Sequence, residues 1–374
     1  MSKKILFIDS RIPHIFLGAG FPRANKILNT LCEIGFEITF YPLRKDSLDS
    51  QNNFYSDIDR RVKIISGNQY QRIGLEQYLT SNVKNFDYIL ISRPTNMLYI
   101  KPILEKIPKK IKNIIIIYDA EAIYALREIM KYKLKNVFIS NTEVRGKINK
   151  ELSLALISNK IIAVSKDEKD KMIEYGVAEN KVYILSHCIQ NIAADSKFEN
   201  RSDILFIGSF VNDNSPNTES VIWFVKSVFP IIEGKINSIC LNIVGLCNSP
   251  EIKKLSCKHI TVHGIIENTD KLYLNSKVFI APTRIAAGIP LKVIEAASKG
   301  IPAVSTSIVS NLLGWSNNNE LLVADTPEDF AKQCIGLYTN SNLWYKISKN
   351  AKTKVALEYS EDNFKADIMK IFAK

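Results

Sequence analysis

A chain of 374 residues exceeds what one ordinary hydrophobic core needs and predicts two domains. Its 46% hydrophobic and 24% charged residues exclude a disordered or fibrous chain. No run of about eighteen apolar residues offers a membrane span, and the net charge of +12 is unevenly placed: residues 1–187 hold 30 Lys/Arg against 20 Asp/Glu, the remainder 20 against 18.

The basic excess gathers in Lys101–Lys112 and Lys131–Lys150. Such runs suit an anionic membrane surface or an acidic acceptor, and a plain solvated lysine surface equally well. No RNA-binding signature accompanies them, so no nucleic-acid partner is expected. The cysteines (Cys32, Cys188, Cys240, Cys247, Cys257 and Cys334) form no C-x-x-C pair and have no histidine at metal spacing. That pattern reads as reduced cytosolic thiols. The apolar run within Met1–Asp9 is too short for a signal peptide, and a cytoplasmic location is expected.

In chain order, Lys4–Asp9 reads as a strand, Arg23–Ile34 as a helix and Phe36–Tyr41 as the next strand. This βαβ opening predicts a doubly wound parallel sheet. The loop between them holds Gly18-Ala19-Gly20, but Arg23 replaces the last glycine of a dinucleotide fingerprint, which argues against an oxidoreductase. Asp57 and Asp59 lie in a polar stretch beside Arg60 and Arg61 and read as surface loop, not metal ligands. Strands are expected at Tyr88–Ile91 and Ile114–Tyr118. The second ends in Asp119-Ala120-Glu121, and in parallel α/β sheets ligands sit at the carboxyl ends of strands. Asp119 and Glu121 are therefore expected to meet a substrate hydroxyl, with helix capping as the competing reading. A strand at Ile161–Val164, a helix at Lys166–Tyr175 capped by Ser165, and a strand at Val182–Leu185 close the first domain.

The polar stretch His187–Arg201 reads as a linker. A second sheet opens at Ile204–Ile207, followed by Gly208-Ser209 and a helix over Glu219–Val228. Further strands are predicted at Ser238–Val244 and Ile260–Val262, the latter turning at Gly264-Ile265. Next comes the most informative stretch: a buried strand Val278–Ala281, a small-residue loop Pro282–Pro290, and a helix from Leu291 stopped by Gly300 and Pro302. The helix start beside Gly288 and Ile289 offers unpaired N–H groups to a phosphate, with Arg284 and Lys292 close in sequence. Glu295 suits sugar hydroxyls; an ordinary Lys292–Glu295 surface pair is the alternative. Helices at Thr326–Tyr338, Asn342–Tyr359 and Glu361–Ile371 complete the chain.

These residues carry a resemblance. Phe206-x-Gly208-Ser209, Pro216-Asn217, Leu291-Lys292-Val293-x-Glu295-Ala296 and Gly300-x-Pro302-x-Val304 are similar to the donor segments of family 4 glycosyltransferases. The likeness runs along nearly the whole chain and is specific in 204–220 and 264–306. It implies the α/β GT-B fold, with two Rossmann-like doubly wound parallel-sheet domains facing across a cleft. Residues 1–186 would be the acceptor-side domain, 187–202 a linker, 203–352 the donor domain and 353–374 a helix crossing back to the first. The implied activity is a retaining transfer of a sugar from a UDP- or GDP-linked donor to a hydroxyl of a glycan or lipid-linked acceptor. Bacterial surface polysaccharide or glycoconjugate synthesis is the implied setting, with no cofactor and no metal. The leaving phosphate would take the acceptor's proton, so no protein nucleophile is required.

Carried onto this chain, the donor contacts are Gly18, Gly20, Gly208, Ser209, Gly264, Ile265, Gly288, Ile289, Leu291, Lys292 and Glu295. Lys292, Arg284, Asp119 and Glu121 are the catalytic set. The chain also departs from the pattern. Ala287 stands where relatives often carry a second Glu, Val211-Asn212-Asp213 supplies no cation after Gly208, and Tyr124 falls near where a His is common. The missing cation shifts phosphate neutralisation onto Arg284 and Lys292. A sugar-nucleotide epimerase and a silent sugar-nucleotide-binding module are the rival readings. Peripheral contact with the inner membrane face through the basic first domain is a further expectation.

Overall fold

A computed structural model describes residues 2–15, 20–44, 55–67, 69–189, 197–266 and 268–373. The chain divides into two compact units, one formed by Met1–Leu126, Ile139–Cys188 and Asp362–Lys374, the other by Arg127–Phe138 and Ile189–Glu361.

The first unit is built on seven parallel strands: β1 (Lys4–Asp9), β2 (Glu37–Pro42), β3 (Lys63–Ile64), β4 (Tyr88–Ser92), β5 (Ile115–Asp119), β6 (Lys160–Ala163) and β7 (Val182–Ile184). Their order in the sheet is β3-β2-β1-β4-β5-β6-β7. The order reverses between β1 and β4, where Ile5 pairs with Tyr88 and Ile8 with Ile91. β1 and β4 are apolar along almost their whole length because helices cover both faces of such a sheet. One face packs Ile5, Phe7, Phe40, Tyr88 and Leu90 against Ala24, Ile27, Leu28 and Leu31 of the helix Phe21–Glu33. The terminal helix Glu361–Phe372 joins the same core through Phe364, Ile368, Ile371 and Phe372, a stripe at helical spacing. Its end is held where Tyr88 Oη donates to the Phe372 carbonyl (2.8 Å) and Lys160 Nζ to those of Ile371 and Ala373 (2.6 Å each). A cation at a helix C-terminus satisfies orphan carbonyls and complements the dipole.

The second unit repeats the plan with β8 (Ser202–Ile207), β9 (Leu241–Val244), β10 (Ile260–Gly264), β11 (Ser276–Ala281), β12 (Ala303–Ser305) and β13 (Leu322–Val323), ordered β10-β9-β8-β11-β12-β13. Here the reversal lies between β8 and β11, where Val278 pairs with Ile204. Phe206, Phe210, Phe224, Phe229 and Phe330 fill one side of this sheet. Ala296, Ala297 and Val293 of the helix Leu291–Ser298 fill the other.

Element boundaries differ from the sequence expectation where backbone geometry intervenes. β9 starts at Leu241, not Ser238, because Ser238 has φ +62° and cannot extend a strand. The helix expected at Glu219–Val228 is Pro216–Trp223, started by Ser215 Oγ accepting from Thr218 N. A π-helical turn, Phe224–Val228, and a short helix, Phe229–Glu233, follow it. The two-residue strands β3 and β13 are too short to show as apolar runs and were not anticipated.

Candidate functional site

In sheets of this order, ligands sit outside the carboxyl ends of the strands at the reversal. Each unit has such a place, and each is considered by itself.

In the second unit, Gly208 follows β8 and its N–H donates to the Val244 carbonyl (2.9 Å). Gly245 follows β9 so closely that a Cβ on it would stand 2.2 Å from the Gly208 carbonyl oxygen, which only glycine permits. The same packing puts Asn217, at the start of the helix Pro216–Trp223, against Gly208. Asn217 Nδ2 donates to the Ser209 carbonyl (3.0 Å), and its Oδ1 accepts from Lys292 Nζ (2.9 Å). The Lys292 ammonium also stands 4.2 Å from the centre of the Phe206 ring. No carboxylate among the described residues pairs with it, and burial pulls its pKa down to about 7. A cation desolvated without a counter-charge is a prepared anion site.

Arg284, in the loop after β11, was expected to share that task. Its Nη2 instead donates to Glu219 Oε1, and its guanidinium lies 5.3 Å from the Trp223 ring centre. Arg284 Nε and Glu219 Oε2 are enclosed without hydrogen-bond partners, so the pair is incompletely satisfied. Glu295 does not pair with Lys292. It accepts from Tyr273 Oη (3.4 Å), and burial pushes it up to about 7 against the pull of that hydroxyl and of Lys299. The start of the helix Leu291–Ser298 is less open than expected: Leu291 N donates to the Ile289 carbonyl and Val293 N to that of Pro290 (2.9 Å each). Gly288 has φ +74°, Ala287 is buried, and Ile265, next to Gly264, is 72% exposed.

In the first unit, two ion-paired groups stand at the ends of β1, β4 and β5. Arg23 stands where a dinucleotide fingerprint would place its last glycine. It is buried, and its Nη1 donates to both oxygens of Asp119 (3.0 and 2.7 Å) while Nε and Nη2 donate to the Leu185 carbonyl (3.1 and 2.8 Å). Ser92 Oγ also donates to Asp119 (3.2 Å). Asp119 is thus enclosed and engaged by Arg23 and Ser92, not open to solvent as the strand-end reading expects. Burial, together with the charge of Arg23, pulls His187 down to about 3.

Arg93, which the sequence reading missed, bridges two carboxylates. Its Nε donates to Asp9 Oδ1 (2.9 Å) and its Nη1 to Glu121 Oε2 (3.2 Å). Tyr124 Oη donates to the same oxygen (3.2 Å). Burial pushes Glu121 up to about 7, with Arg93 opposing. The capping reading of this acidic pair fails. The helix Tyr124–Leu134 is capped from outside by Glu151, which accepts from Tyr124 N and Ala125 N (2.7 Å each). The available clue to Arg93 was an Arg-Pro step directly after the apolar run of β4.

Gly20 lies beside Glu121, whereas Gly18 lies outside the described residues. The Asp57–Asp59 segment is tied down more firmly than a surface loop. Asp57 accepts from Ile15 N (2.7 Å) and lies 2.5 Å from His14 Nδ1, and Ile58 is in the core. In the basic run, Lys106 pairs with Glu76 (2.8 Å) and Lys110 donates to the Thr80 carbonyl (2.7 Å). Among the described residues no helix is long and apolar enough to cross a membrane.

Residues 201–340, which hold the Lys292 site, match the family model described as glycosyl transferases group 1. The chain is 26% identical over 302 residues to an uncharacterized 44.6 kDa protein in the cps region of Klebsiella pneumoniae, across 77% of this chain and 74% of the relative. Its fold is similar to that of Anabaena Alr3699/HepE, solved in complex with UDP and glucose (TM-score 0.71, 11% identity, 98% of each chain). Sucrose-phosphate synthase from Thermosynechococcus elongatus is also similar (TM-score 0.72, 13% identity, 99% of this chain and 98% of that one). The chain thus has the two-sheet α/β architecture of the GT-B glycosyltransferases.

Proposed function

We propose that this transferase moves a sugar, with retention of anomeric configuration, from a nucleotide diphosphate donor to an acceptor hydroxyl. The observation that carries the reading is Lys292: a desolvated ammonium with no carboxylate partner among the described residues, at the strand ends of the domain that matches the family. As the bond between the anomeric carbon and the diphosphate breaks, negative charge grows on the leaving oxygens. A pre-placed cation stabilises that charge more than it stabilises the intact donor. Arg284 is a second cation for the same charge once it turns from Glu219. The acceptor oxygen bonds to the anomeric carbon and its proton passes to a leaving phosphate oxygen. Glu295 accepts from the ribose hydroxyls, and Gly208, Ser209, Gly264, Ile265, Gly288, Ile289 and Leu291 line the nucleotide and sugar.

UDP is the favoured nucleotide, with GDP the second choice, because a structural neighbour was solved with UDP and glucose. A role in bacterial surface polysaccharide synthesis is supported by the cps-region relative. Side-chain cations take the place of a metal in this scheme. The test is a transfer assay with UDP- and GDP-sugars in chelator, with the product anomer read by NMR. Retained configuration with chelator-insensitive turnover is expected. An inverted product overturns the stereochemistry proposed, and loss of activity in chelator overturns the metal-free scheme.

A further inference from the structure

The Arg93 bridge in the first unit is not explained by packing. Three of its polar atoms, Asp9 Oδ2, Arg93 Nη2 and Glu121 Oε1, are enclosed yet have no hydrogen-bond partner. Leaving buried polar groups unsatisfied is costly, so a cluster of three on one bridge calls for a reason. Two residues of the bridge also hold left-handed backbone, Arg93 at φ +80° and Glu121 at φ +56°. Such conformations in non-glycine residues persist where the surroundings impose them and gather at functional sites. Pro94 begins the following helix and keeps Arg93 out of it, while Arg93 N donates to the Asp119 carbonyl (2.9 Å), so the strain is built into the strand ends.

The three groups are strongly fixed at one end and loosely at the other. Asp9 is fully buried and accepts from Ser10 N, Arg93 Nε and Asn96 Nδ2 (2.5, 2.9 and 3.1 Å). The Arg93 ring contact with Phe21, at 4.2 Å, sets the guanidinium plane. Glu121 receives only long bonds, both at Oε2, and its Oε1 lies over Gly20, where a Cβ would stand 1.9 Å away. Charge-assisted bonds ordinarily run about 2.7–2.9 Å. Glu121 is the member able to turn toward an incoming group.

We propose that Asp9, Arg93 and Glu121 form the subsite that takes an uncharged hydroxyl of the acceptor sugar and turns away anionic substituents at that position. The proposal rests on the reading of the chain as a transferase to a hydroxyl acceptor. A hydroxyl donates one hydrogen bond and accepts others, which matches a free N–H beside free carboxylate oxygens. A carboxylate or phosphate meets two acids against one guanidinium. Discrimination of this kind comes from the repulsive partner as much as from the attractive one.

The experiment compares a panel of neutral methyl glycosides with glucuronate, by saturation-transfer NMR on the whole chain. At least one neutral glycoside is expected to bind, about tenfold or more tighter than glucuronate. Glu121→Gln removes one negative charge and keeps the shape, so it is expected to move the neutral-over-glucuronate preference down by about tenfold. Arg93→Lys, with a thermal melt to confirm folding, is expected to weaken the neutral glycoside. Equal binding of neutral glycosides and glucuronate, no neutral binder, or an unchanged preference in Glu121→Gln overturns the proposal. UDP and GDP calorimetry on the same proteins separates the two readings. Intact nucleotide binding with no glycoside selectivity removes only this subsite, whereas absent nucleotide binding in the wild type removes the donor reading instead.

Discussion

The two sheets share a strand order and a reversal point, yet opposite electrostatic solutions occupy those points. In the first unit, Arg23 and Arg93 are matched against Asp119, Asp9 and Glu121, so charge is buried in pairs. In the second, Lys292 is half-buried against an amide oxygen and an aromatic ring. Paired ions hold strand ends together and discriminate between incoming hydroxyls and anions; an unpaired cation waits for an anion. The same topology therefore supports two chemistries, and the side chains at the strand ends decide which.

The comparison breaks if Arg23 turns out to be dispensable. Arg23→Ala leaves Asp119 buried without its partner, a change that costs about 3–5 kcal/mol. A large drop in melting temperature or a failure to fold is expected, and a wild-type melt would reassign the pair. Lys292→Ala should act oppositely, leaving the melt near wild type while lowering turnover about 100- to 1,000-fold. Near-wild-type turnover would take Lys292 out of the mechanism. Glu295→Ala should weaken nucleotide binding about tenfold, in line with loss of one hydrogen bond to a charged group. Unchanged affinity by calorimetry rejects the ribose contact.

A smaller effect sharpens the picture of Lys292. With its pKa near 7 in the empty site, part of the population is neutral at pH 8, and an arriving diphosphate raises that pKa. Nucleotide binding should then take up a fraction of a proton, and affinity should fall as pH rises above 7. Calorimetry in buffers of different ionisation enthalpy measures this uptake, and its absence contradicts a phosphate contact at Lys292. The smallest expected effect is at the basic run Lys101–Lys112, because Lys106 and Lys110 already have partners on their own unit. Sedimentation with anionic liposomes should show weak binding that salt abolishes, and no binding dismisses the membrane contact.

Much of the architecture was legible in the chain. Short apolar runs such as Lys4–Asp9 and Val278–Ala281 announce buried parallel strands because both faces of the sheet are covered. Gly300 and Pro302 end the helix after Lys292 as their backbone chemistry requires. Lys292 and Glu295 could be singled out because they stand at a helix start suited to a phosphate, in a segment similar to the donor segment of a known family.

Partnership was not legible, since hydrogen bonds and ion pairs at the site join residues far apart in sequence. Asn217 and Lys292 are 75 positions apart, Glu219 and Arg284 are 65 apart, and Arg23 and Asp119 are 96 apart. Local pattern predicts which elements form, because period and capping act within a few residues. Which charge ends up paired, and which is left for a ligand, is settled only when the sheet brings its strand ends together. For this protein the sequence alone therefore determined the two parallel-sheet domains and the Lys292 helix. Tertiary structure alone withdrew Arg23 and Asp119 from solvent and set Arg93 beside Glu121, because desolvation and ion pairing depend on neighbours that the order of residues does not display.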